Sequence, residues 1–198
     1  MRNKPGKGEY LGILLRSSKT IFSTKDAALL WGEERQETVS GRLKKYTKAG
    51  KLLRIHRGIY AKDPKYNRLE LATRIYTPSY ISFETVLTRK GVNFQYYETL
   101  FVASYLKRDI IVDGQKISYV RMKDYVVSNT AGIEHVEGVA MATKERAFLD
   151  RIYVSRDYHF DNLGALNWDT VFAILPIYQN KKMEQRVQKY FEYYTSTL

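Results

Sequence analysis

Val39, Leu43 and Tyr46 recur at i, i+4 and i+7, while Gly41, Lys44, Lys45 and Lys48 fall opposite them and Ser40 and Arg42 take the shoulders. At about 100° per residue, the apolar groups share one face of a helix and the lysines share the other. A strand, with its period of two, would scatter both sets. The spacing therefore predicts a helix over about Glu37 to Ala49, with one side in a core and the other side cationic. Like charges four apart weaken an isolated helix, and a polyanion laid along the face would relieve them. Gly41 costs roughly 1 kcal/mol relative to Ala in a helix interior. On this face it is either a place of close approach for a nucleic-acid backbone or a tolerated surface glycine.

The flanking residues supply a context for that helix. Tyr10, Leu11, Leu14 and Leu15 have helical spacing and predict a first helix from about Gly8 to Arg16. Ser23, with Asp26 at the third helical position, reads as a capping box opening a second helix. Ala27, Leu30 and Trp31 form its inward face, and Gly32 stops it. After Gly50, the alternation of Leu53 and Ile55 with Arg54 and His56 leads to the turn Arg57-Gly58 and the run Ile59-Tyr60-Ala61. This predicts a two-stranded hairpin with a basic tip. Helix, short helix, basic helix and basic hairpin, in that order, make a winged helix-turn-helix, in which the third helix enters the major groove and the wing touches the neighbouring backbone. Lys44, Lys45 and Lys48, with Lys51, are then expected on phosphates of double-stranded DNA. Ser40 and Arg42, near the helix start, are expected at base edges. Arg54, His56 and Arg57 of the wing are expected on phosphate or in the minor groove.

Charge distribution points the same way. Of the formal net charge of +12, residues 1–62 carry 15 Lys and Arg against 5 acids, and residues 63–198 carry 18 against 16. One third of the chain thus holds nearly all the excess, as expected for a polyanion-binding module joined to a neutral one. A solvated basic surface is the plain alternative. Docking on an acidic protein or an RNA is the alternative of a different class.

The polar stretch Lys62-Asp63-Pro64-Lys65 marks the expected boundary between domains 1–62 and 63–198. Beyond it a helix carrying Leu69, Ala72 and Ile75 is expected to end before Pro78. Tyr80 to Leu87 is expected to begin another helix, stopped by Gly91. Strand-like runs follow at 99–103, 110–112 and 117–120, with Asp113-Gly114 as a type I′ hairpin turn between the last two. Val136 to Met141 reads as one short strand, and Thr143 as the cap of a helix through Asp150. Further helices are expected from about Asn167 and about Lys181. Clustered helices with a hairpin-rich sheet argue an α+β domain. Among Tyr190, Phe191, Tyr193 and Tyr194 the pattern is that of a terminal helix docking on its own domain, with base stacking as the alternative.

Enzyme chemistry is not evident, and the expectation is a protein that is not an enzyme. The chain has no GxxxxGK[ST] phosphate loop, no GxGxxG, no HExxH and no GxSxG elbow. Without cysteine there is no thiol nucleophile, disulfide or thiolate zinc site. His56, His135 and His159 are isolated, and Glu134, His135 and Glu137 read as a polar loop between glycines rather than as metal ligands. Glu145 and Asp150, five apart, do not share a helix face. No cofactor is expected. The apolar share of 44% suits a folded chain. No apolar run is long enough for a membrane span, and basic Met1 to Lys7 lacks a signal-peptide core. The expectation is a cytoplasmic protein.

Several stretches together resemble the AbiEi antitoxins of type IV toxin–antitoxin systems and related transcriptional regulators. They are Val39-Ser40-Gly41-Arg42-Leu43, Gly50-Lys51-Leu52 leading to Arg57-Gly58-Ile59-Tyr60-Ala61, Tyr80 to Leu87, and Thr143 to Asp150. The resemblance covers about residues 20 to 155. It implies a winged domain that represses its own operon by binding inverted repeats in the promoter. It also implies a C-terminal domain that counteracts a nucleotidyltransferase-like toxin, without requiring a stable complex with it.

Overall fold

A computed structural model describes Gly6 and residues 8–197. The basic stretch read at the N-terminus, apart from Gly6, lies outside the described residues. The chain is α+β and divides into two compact units, Met1–Ile75 and Tyr76–Leu198.

The first unit runs α1 (Glu9–Arg16), β1 (Ile21–Ser23), α2 (Thr24–Trp31), α3 (Gln36–Lys48), β2 (Leu53–His56), β3 (Ile59–Ala61) and α4 (Arg68–Ile75). The capping box forms as expected, with the Ser23 hydroxyl accepting from Asp26 N–H at 3.0 Å and the Asp26 carboxylate accepting from Ser23 N–H at 3.0 Å. Gly58 closes the hairpin at a φ of 74°, a conformation that favours glycine. β1 was not anticipated. Three residues are too few for a period to show, and the strand exists only because Ile21 and Phe22 pair antiparallel with Ala61 and Tyr60. The result is a three-stranded sheet of order β1-β3-β2. Phe22, Leu52 and Tyr60 meet Leu14, Ala27, Trp31, Val39 and Leu43 of the helices in one buried core.

The division falls after α4, not at Pro64. Glu70 of α4 is buried, and its Oε2 accepts from Thr20 N–H at 2.9 Å and from the Thr20 hydroxyl at 2.7 Å. Arg74 lies 3.4 Å from Asp26, which also pairs with Lys19. Burial alone would raise the Asp26 carboxyl. The hydrogen bonds from Lys19 and Ser23 and the charge of Arg74 outweigh it and hold the pKa below its ordinary value.

The second unit is built on a six-stranded mixed sheet. Its elements are β4 (Ser79–Ile81), α5 (Glu84–Arg89), β5 (Leu100–Ser104), β6 (Arg108–Val112), β7 (Gln115–Arg121), α6 (Asp124–Val127), β8 (Ile133–Val136), β9 (Val139–Ala142), α7 (Lys144–Val154), α8 (Trp168–Ile174) and α9 (Lys181–Ser196). The sheet order is β6-β7-β5-β4-β9-β8. β6 with β7 and β8 with β9 are antiparallel hairpins, β4 pairs antiparallel with β5 across the connection that holds α5, and β5 with β7 and β4 with β9 run parallel. The Asp113-Gly114 turn adopts φ of 49° and 73°, positive at both central positions as a type I′ hairpin requires.

Two stretches differ from expectation. Tyr80 and Ile81 are strand, since β4 pairs with β5 on one side and β9 on the other; the helix begins only at Glu84, after Phe83 turns the chain. The run 136–141 is not one strand but the corner of a hairpin. Glu137-Gly138 forms a second turn with both φ positive, so Glu134 and His135 lie on β8 rather than in a loop. Among the described residues no cluster of acids and histidines could hold a metal ion.

The centre of this unit is polar and sealed. The side chains of Arg146 and Asp150 on α7 are both 0% exposed and lie 3.3 Å apart. The Arg146 guanidinium donates to the carbonyls of Ala131 (2.8 Å) and Val126 (2.7 Å) and to the Tyr80 hydroxyl (2.9 Å). Asp150 accepts from Ser82 at 2.7 Å, Tyr178 at 2.7 Å and Tyr80 at 3.1 Å. Burial works against the Arg146 charge, but Asp150 and the surrounding hydroxyls outweigh it and keep the guanidinium protonated. Asp150 therefore finds its partner four residues back, a spacing that puts both on one face. On α9, Tyr190 packs against Phe160 at 5.3 Å, and Phe191 and Tyr194 pack against Trp168 at 5.1 and 5.7 Å. The terminal helix thus docks on its own unit.

Candidate nucleic-acid interface

α3 turns Val39 and Leu43 into the core, so Glu37, Thr38, Gly41, Lys44, Lys45 and Lys48 are left exposed on the opposite side. Lys44 and Lys48 are four apart and stack one above the other. They lean towards the hairpin, where they meet Arg54 of β2. Together with Thr47 and Tyr60 these three cations line a cleft of about 300 Å³ between helix and sheet. Sequence alone could not join Arg54 to the helix, because that proximity depends on β3 pairing with β2 in the register that sets Arg54 opposite Tyr60.

The other expected residues distribute unevenly. Lys45 is exposed on the same helix face but does not line the cleft. Lys51 and Arg57 are exposed on the loop before the hairpin and at its tip, and His56 and Ser40 are half-buried. The tip itself is held down, since Thr24 N–H at the start of α2 donates to the Gly58 carbonyl at 3.0 Å.

Arg42 departs from its expected place at base edges. Its guanidinium carbon lies 3.6 Å from the centre of the Tyr10 ring and 5.6 Å from that of Trp31. One guanidinium nitrogen, Nη1, is buried without a hydrogen-bond partner. The aromatic pair is fixed in turn, because Trp31 Nε1–H donates to the Tyr10 carbonyl at 2.8 Å and the rings meet edge-on at 5.5 Å. The shoulder position of Arg42 is within reach of α1, and the ring faces attract the cation inward. Arg42 fixes α3 against α1; it does not extend the outward cationic face. Neither Tyr10 nor Glu37 is among the site residues expected from sequence, and both acquire interest only once this packing is seen.

Among the described residues no helix is long and apolar enough to cross a membrane. In comparison with known proteins, the chain matches no family model and no curated sequence.

Proposed function

We propose that this chain is a DNA-binding transcriptional regulator, acting in the cytoplasm, whose first unit is a winged helix-turn-helix. The observation that carries this reading is the continuity of cations from α3 to β2, with Lys44, Lys48 and Arg54 lining one cleft. A backbone phosphate seated there would relieve the repulsion among the three charges. The order of helices and the β1-β3-β2 sheet support the same reading, as does the concentration of net charge in residues 1–62. In this arrangement α3 lies in the major groove and the hairpin follows the adjacent backbone. The resemblance of its motifs to the AbiEi antitoxins extends the proposal. The chain would repress its own promoter at inverted repeats, and the second unit, as a non-enzymatic effector, would counteract a nucleotidyltransferase-like toxin without a stable complex.

Fluorescence anisotropy on the chain's own upstream promoter and on scrambled DNA, over a salt series, tests the first part. A preference of about 10³ that survives physiological salt is expected of an operator-specific regulator. The Lys44→Ala, Lys45→Ala, Lys48→Ala triple variant is expected to reduce the log–log salt slope by about 3, at roughly one phosphate per lysine. Equal, weak binding to both DNAs, or a triple variant that binds like the parent, sinks the proposal. For the second part, co-expression with a toxic nucleotidyltransferase-like protein encoded beside this chain is expected to restore growth, and the lack of any such neighbour or unrelieved toxicity would remove the antitoxin role.

A further inference from the structure

We infer that Glu37 is a base-reading residue of this interface and selects cytosine in the major groove; the inference rests on the DNA-binding reading above. Glu37 stands seven residues before Lys44, and Thr38 seven before Lys45, so both lie on the outward face of α3. With Arg42 turned onto Tyr10, the outward face carries Glu37 on its N-terminal turn, the part of a recognition helix that reaches base edges, with the equally long and exposed Gln36 beside it. Its carboxylate has no hydrogen-bond or ion-pair partner among the described residues. Four residues on, where a lysine would neutralise it, stands Gly41. A Cβ added to Gly41 would meet nothing within 4 Å, so a base edge or backbone can come close between the acid and the lysines.

An acid on a phosphate-facing surface weakens binding to all DNA. It is favourable only where it meets a donor, and a carboxylate can accept but not donate. In the major groove cytosine presents its N4 amino group alone, adenine sets its N6 donor beside the N7 acceptor, and guanine and the O4 of thymine present only acceptors that repel a carboxylate. Glu37 therefore discriminates by attraction to one base and repulsion from others. The competing role is purely structural: an acid in the first turn of a helix lacking a side-chain N-cap stabilises its positive end. That role would move helix stability and leave base preference untouched.

The test selects bound sequences from a randomised DNA duplex library with the full-length protein and with Glu37→Gln. The parent is expected to yield a motif containing an invariant cytosine, with roughly tenfold loss of affinity when that base is changed. Glu37→Gln is expected to shift the same position to adenine, which a carboxamide reads bidentately. A Glu37→Gln motif that keeps the cytosine overturns the inference while leaving the DNA-binding reading intact. A parent motif without an invariant cytosine does the same. Failure of the parent to select any motif overturns both.

Discussion

The first unit holds Lys44, Lys45, Lys48 and Arg54 at its surface, where only solvent or a ligand can neutralise them, while the second unit seals Arg146 and Asp150 completely inside. The difference lies in what each arrangement leaves unfinished. The exposed cations repel one another and gain from any polyanion that arrives. The buried pair is already satisfied by three hydroxyls and two carbonyls, so a ligand would have nothing to add. Charge left unsatisfied marks the candidate interface, and charge fully satisfied marks an organising centre of the fold. Arg42 in the first unit stands between these cases, drawn inward onto Tyr10 but with one nitrogen unpartnered.

The sharpest way to break this comparison is Arg146→Ala, which strands the Asp150 carboxylate in the core. A loss of about 3–5 kcal/mol is expected from denaturant unfolding followed by near-ultraviolet circular dichroism. A cost no greater than that of a surface substitution would mean the pair organises nothing. Leu43→Ala, on the inward face of α3, is expected to cost about 3 kcal/mol through the cavity it leaves, with DNA binding falling in parallel. Next in size is Ser23→Ala, at about 1 kcal/mol from the lost capping box.

The same local cluster predicts a pH dependence. The folded-state pKa of Asp26 lies below its ordinary value of 3.8, so the unfolded chain takes up the proton more readily. Its contribution is therefore present above about pH 4 and lost as pH falls through the folded pKa. Asp26→Asn should flatten that acid limb in a pH series of thermal melts, and an unchanged limb would show that Asp26 does not drive it. The smallest effect is expected of Arg42→Met, about 0.5–1 kcal/mol from the lost stacking on Tyr10, with base preference retained. If Arg42→Met instead abolishes base preference at unchanged stability, Arg42 swings out to read DNA and the intermediate case disappears.

Much of the first unit was legible in the chain because its signals are local. The capping box at Ser23 and Asp26, the face shared by Val39 and Leu43, and the turn at Gly58 each depend on residues a few positions apart. The Asp113-Gly114 hairpin was legible for the same reason, and Glu137-Gly138, with the same backbone geometry, went unread because Val136 to Met141 reads as one short strand. Tyr80 to Leu87 misled in another way. Its aromatic and branched residues suit helix or strand, and pairing of β4 on both sides chose strand for the first part.

Local spacing by itself determined the cationic face of α3, the caps of α2 and α7, and the hairpin at 113–114, because a helix period, a capping side chain and a positive φ are properties of a few consecutive residues. Only the tertiary structure decided that β1 exists, that α4 belongs with the first unit, that Arg54 joins Lys44 and Lys48, and that Arg42 turns onto Tyr10. The Arg146 and Asp150 centre belongs to the same class, since its partners come from Tyr80, Ser82, Val126, Ala131 and Tyr178. Such contacts join residues far apart in sequence, and their energy depends on burial and register that no single segment carries.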